Sequence, residues 1–176
     1  MQKTAFYLIL LFSMSCMTSC RPHVQHADPF YNVGDDFGMN RIPLINPIEA
    51  NRLRSSSPWS IELHPAIWIA DFPDNQGFHY PYARVNQLEK VAVKNGTIMA
   101  YSSYVDEKAN AYIQDNYYHW FVTIPDKKIT KGFHTEDEFR QYIQTLGVQN
   151  PDWQTPDEAF HKFAKTGCLA WIPDCK

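Results

Sequence analysis

Seven histidines and four cysteines are the side chains of this 176-residue sequence best suited to metal binding or catalysis. Their spacing decides what they can do. His23 and His26 are close enough to share a cation, but nothing flanking them supplies a rigid third ligand. His134 stands just before Glu136 and Asp137, a grouping that looks like a metal cluster on paper. Those acids are better explained as first-turn carboxylates complementing a helix dipole. His119 lies between Tyr118 and Trp120 in an apolar run and reads as a packing residue or a sheet-edge one. No HExxH pattern or other paired ligand spacing occurs, so no metal and no cofactor is expected. Nucleophilic chemistry has as little support. Ser55, Ser56 and Ser57 precede Pro58 without the GxSxG turn that exposes a catalytic serine. The phosphate-cradling GxGxxG and GxxxxGK[ST] loops are missing as well. No catalytic residue is assigned, and an enzyme is not expected.

Aromatic side chains are the strongest compositional signal, at 15% of the chain. Trp59, Trp68, Phe72, Phe78, Tyr80 and Tyr82 fall close together, with Pro65, Pro73 and Pro81 between them. One reading is a stacking surface for sugar rings or an interaction hot spot, because tryptophan and tyrosine dominate such sites. The simpler reading, which we favour, is that they fill a core beneath an irregular, proline-rich connection. The stretch 71–82 is still the segment expected to form an exposed binding loop, since a rigid scaffold lets loops carry function. Trp59, Trp68, Phe78, Tyr80 and Tyr82 are therefore the candidate ligand-binding residues.

The first twenty residues say where such chemistry would take place. Lys3 is followed by an apolar run from Ala5 to Phe12 and then by Met17-Thr18-Ser19-Cys20. A basic start, a short apolar stretch and small residues describe an export signal, and the run is shorter than the roughly 20 residues of a membrane-spanning helix. Met17-Thr18-Ser19-Cys20 resembles the lipobox of bacterial lipoproteins, and the chain resembles the small lipoproteins of Gram-negative, Bacteroidota-like bacteria. The resemblance rests on this lipobox and, less specifically, on the tail from Gly132-Phe133 through Trp171-Ile172-Pro173. It implies cleavage after residue 19, acylation of Cys20 by palmitate-type chains and anchoring in the cell envelope. Arg21 after the cysteine, by the same resemblance, points to the outer membrane with the domain facing the periplasm. Two or more acyl chains give stable anchoring, at about 0.8 kcal/mol per buried methylene. In an exported domain the remaining pair, Cys168 and Cys175, reads as a disulfide. Its short loop is worth about 2.5 kcal/mol in the chain-entropy picture.

The net charge is −3, with basic residues scattered rather than striped, so a nucleic-acid partner is excluded. Residues 20–57 read as a lipidated tether and irregular lead-in, in which 41–47, whose prolines exclude a helix interior, packs as extended chain on the domain and 48–53 adds a short helical turn. Residues 58–176 read as a single globular domain of α+β class. Trp59-Ser60-Ile61-Glu62-Leu63-His64 alternates apolar and polar, as a half-buried strand does. A hairpin over 90–102 turns at Asn95-Gly96, which tolerates the positive φ angles of a type I′ turn. A further strand covers 117–124, and a short one begins at Ile129. Thr135 to Glu138 and Thr155 to Glu158 are capping boxes opening helices near 136–146 and 156–166. Strands followed by helices give a small antiparallel sheet with C-terminal helices. The functional expectation is a lipid-anchored, non-enzymatic binding domain with an envelope protein as partner. A glycan-binding module built on 59–82 is the runner-up, and an envelope hydrolase without a recognisable motif comes third. A clickable fatty acid fed to cells should label the wild-type chain and leave Cys20→Ser unlabelled; undiminished labelling of that variant would sink the anchor assignment.

Overall fold

The computed structural model describes residues 24–34, 39–62, 84–105 and 118–175. They form two four-stranded antiparallel sheets and two helices, an α+β fold. The first sheet runs in chain order: β1 (Asn40–Ile45), β2 (Ile48–Arg52), β3 (Ser60–Glu62) and β4 (Arg84–Val85). The second contains β5 (Lys90–Lys94), β6 (Thr97–Tyr101), β7 (Trp120–Ile124) and β8 (Ile129–Phe133), again in sequential order. Helix α1 (Glu136–Thr145) packs on β7 and β8, and α2 (Pro156–Thr166) packs on β1.

Strand β1 bears out the extended packing expected of 41–47, whereas β2 corrects the reading of 48–53 as a helical turn. Ile42 and Leu44 on one strand, and Ile48 and Ala50 on the other, alternate inward and are almost completely buried. That is the period of a strand. Pro43 disguised it, and the structure accepts this proline because β1 is an edge strand, where a missing N–H is tolerated. The turn is Asn46-Pro47, joined by a cis peptide bond, rather than a glycine turn. The described part of the supposed tether is docked too: Tyr31 joins the core and His26 is buried.

The expected 90–102 hairpin is present. Lys94 pairs with Thr97 across Asn95 and Gly96, whose φ angles are 52° and 69°. From there the second sheet is covered on both sides. Val91, Ile98, Ala100 and Phe121 face a core shared with the first sheet, α2 and the C-terminal tail. Ala92, Met99, Trp120 and Val122 face a separate core under α1, against Phe139 and Ile143. Every residue of β7 is buried, so its sequence is apolar at every position but Thr123, whose hydroxyl pairs with that of Thr130, rather than alternating. Each such side chain contributes about 1.5–3 kcal/mol relative to exposure. Gln154 closes the outer edge of β5 by exchanging two backbone hydrogen bonds with Val91.

Both helices begin as the sequence requires. The Thr135 and Thr155 hydroxyls accept from the amides of Glu138 and Glu158, whose carboxylates accept from the two threonine amides. Those backbone amides first, and the threonine hydroxyls second, hold both carboxyls below the usual glutamate range. A folded-state pKa lowered in this way stabilises the fold above the ordinary value of 4.5, and the gain is lost as pH falls through the lowered folded values. The melting temperature of a Glu138→Gln/Glu158→Gln variant should therefore decline less steeply on acidification than that of the wild type. Equal slopes in thermal melts taken across that range would contradict this account.

Candidate functional site: a groove between β8 and α1

Beside the second core, where α1 leaves the margin of β8, an open groove of about 560 Å³ is lined from two sides. Glu138, Gln141, Tyr142 and Thr145 form one wall. Their spacing of i, i+3, i+4 and i+7 places them in a row along the helix. This row adjoins the buried stripe that carries Phe139 and Ile143. Gly132, Phe133 and His134 at the end of β8, with Tyr118 just before β7, form the other wall.

Close packing shapes this second wall. The Tyr118 ring lies against the backbone of Gly132. A Cβ atom there would fall inside the ring's van der Waals surface, with the third-nearest ring atom still only 2.8 Å away. An aromatic ring resting on a strand glycine is a recognised device for covering bare backbone. Tyr118 in turn meets His134 with ring centroids 4.6 Å apart. Below the groove runs a chain of aromatic contacts: Tyr142 to Phe133 at 5.3 Å, Phe133 to Phe139 at 6.2 Å, and Phe139 to Trp120 at 4.9 Å. Lys131 caps the outer end, its ammonium 5.0 Å from the Tyr142 ring centroid. The groove floor is thus an extension of the second core and is held rigidly by it.

Its chemistry is that of recognition. Half-buried faces of Tyr118, Phe133 and Tyr142 offer stacking, worth about 0.5–1.5 kcal/mol per ring pair. The exposed side chains of Gln141 and His134 add hydrogen-bonding groups. Glu138 is committed to its capping box and kept ionised, chiefly by the Thr135 amide and to a smaller degree by His134. It serves as a fixed negative charge rather than as a proton donor. The Thr145 hydroxyl donates to the Tyr142 carbonyl.

The structure separates the residues that the sequence grouped together. Trp59 is only 4% exposed, packed at a tilt against the Phe160 ring, with its Nε1 donating to Asp157 and the Arg52 guanidinium 4.5 Å above its ring. It belongs to the core between the first sheet and α2 and offers no face to a ligand, which corrects its assignment as a binding residue. Trp68, Phe78, Tyr80 and Tyr82 lie outside the described residues, as do Cys20, the leader and the loop 71–82. Of the metal-like trio near His134, Glu136 pairs instead with Arg140 one turn along the helix. Cys168 and Cys175 are joined by a disulfide. Sequence reasoning missed the groove because its two walls, carrying Gly132 and Tyr142, come together only once β8 and α1 have packed.

No protein-family model, curated protein or solved structure matches the chain. The site is consequently read from its own geometry. Gly132→Ala should push the Tyr118 ring off the strand and lower stability by about 1–3 kcal/mol, and the same change made in Tyr118→Ala should be markedly milder. Denaturant melts of the two single variants and the double variant test this. Additive losses would show that the ring and the glycine do not depend on each other.

Proposed function

We propose that the chain is a lipid-anchored cell-envelope protein whose globular part binds a partner without transforming it, with the β8–α1 groove as the binding surface. The anchor is Cys20, and acylation there holds the domain at the outer membrane, facing the periplasm. The observation that carries the binding reading is the groove itself. Aromatic faces and hydrogen-bonding side chains line a rigid floor, while its carboxylate is tied up in a helix cap. Hot spots of protein interfaces are built in this way, from tyrosine faces set in a well-packed surround. The partner expected is an extended segment of another envelope protein, long enough to lie along the Glu138 to Thr145 row.

A photo-reactive phenylalanine analogue placed at Gln141 in cells should give one discrete cross-linked protein adduct. The same analogue at Lys162, an exposed position of α2 away from the groove, should give none. Tyr142→Ala should reduce the Gln141 adduct several-fold. Matching adducts from both positions, or no adduct from Gln141, would remove the groove from consideration. A heterogeneous carbohydrate smear in place of a discrete band would move the reading to a glycan ligand.

A further inference from the structure

The three side chains most suited to a soft metal ion meet at the end of α2, although the sequence places one of them, His26, far from the other two. Cys168 and Cys175 are disulfide-bonded there, with Cα atoms 5.5 Å apart. His26, which is 149 positions from Cys175, sets its Nε2 3.9 Å from the Cys175 sulfur. One ring nitrogen and both sulfurs lie within 4.8 Å of one another. His26 is 6% exposed and both cysteines are half-buried. Nε2 also lies 2.8 Å from the Gly167 carbonyl. A carbonyl only accepts, so Nε2 carries the proton. Nδ1 is left as a buried lone pair with no partner among the described residues.

We propose that reduction of the Cys168–Cys175 disulfide opens a metal site, in which the two thiolates and the His26 imidazole bind a thiophilic divalent cation such as Zn²⁺. A dithiol reductant supplies two electrons and two protons, breaking the S–S bond to two thiols while it becomes a disulfide itself. Binding of the cation then releases both thiol protons as two S–metal bonds and one N–metal bond form. Nε2 exchanges its Gly167 hydrogen bond for the metal, and its proton passes to Nδ1, so one ring nitrogen is satisfied in either state. Two sulfurs and a nitrogen fill three of the four positions of tetrahedral zinc, leaving the fourth for water.

Opening the disulfide does not scatter these ligands. Leu169 and Ile172, between the two cysteines, are 1% and 2% exposed and sit in the first core. Trp171 donates from Nε1 to the Pro43 carbonyl of β1 at 2.9 Å. Backbone bonds from Ile172 to Leu169 and from Cys175 to Ile172 keep the intervening turns closed. The sulfurs need to separate only to about 3.8 Å to share one zinc at Zn–S distances of about 2.3 Å.

Cobalt(II) titration of the purified protein after phosphine reduction tests the site; the phosphine takes up oxygen from water as the disulfide becomes two thiols. The reduced wild type should bind one equivalent, with a cobalt–thiolate charge-transfer band and the intense visible bands of tetrahedral cobalt, and zinc should displace it. The disulfide form should show neither band. His26→Ala should weaken binding at least about tenfold and move the visible bands, and Cys168→Ser should abolish the thiolate band of a two-sulfur site. If His26→Ala loses its helical circular dichroism, His26→Gln replaces it in the same comparison. No thiolate band in the reduced wild type, or a histidine variant that reproduces its affinity and spectrum, overturns the proposal.

Discussion

Trp120 and Phe121 are neighbours in the chain, yet they belong to different cores. Trp120 stacks on Phe139 of α1 at 4.9 Å, while Phe121 points into the core shared with the first sheet. Because successive side chains on a strand alternate faces, this arrangement obliges the second sheet to be covered on both sides. One helix cannot do that. Helix α1 covers one face, and the first sheet together with α2 covers the other. The described fold is organised around this requirement, including the backbone bonds by which Gln154 closes the β5 edge.

The double cover also accounts for the groove. The apolar stripe of α1 is narrow: Phe139 and Ile143 are fully buried, and Tyr142 is only half-buried. The sheet beneath extends to β8, beyond the reach of that stripe. At this margin Tyr118 covers the strand by lying on Gly132, and the row from Glu138 to Thr145 faces it across an opening. A wider helix stripe would have closed the space. Rigidity comes from the continuous aromatic contacts below, so a ligand meets a preformed floor and the ordering cost of binding stays small.

Local rules were legible in the sequence, and long-range ones were not. Asn95-Gly96 announced its hairpin, and the two threonine–glutamate boxes announced their helices, because each of those signals lies within a few residues. The first hairpin was hidden by Pro43 and by a turn at Asn46-Pro47 that lacks a glycine, even though Ile42, Leu44, Ile48 and Ala50 alternate correctly. His26 was read as part of the tether because its partners, Gly167 and Cys175, come from the other end of the chain. Gly132 was silent for the same reason: its meaning depends on the Tyr118 ring, which reaches it only after β7 and β8 have paired.

The aromatic excess is best understood through the same constraint. A sheet with two covered faces needs large side chains in both directions, and the described tryptophans supply them. Trp59 lies between the first sheet and α2, Trp120 and Trp153 meet under α1, and Trp171 pins the tail to β1. Richness in tryptophan is therefore a property of packing here, and composition alone is a poor guide to where a ligand sits. What distinguishes Tyr118 and Tyr142 is position. Tyr118 packs against the first core and Tyr142 against the second, so their inner edges are held by packing and their outer faces line an opening. A ring in that situation is both immobile and accessible, a combination that neither a core tryptophan such as Trp59 nor an unsupported surface aromatic provides.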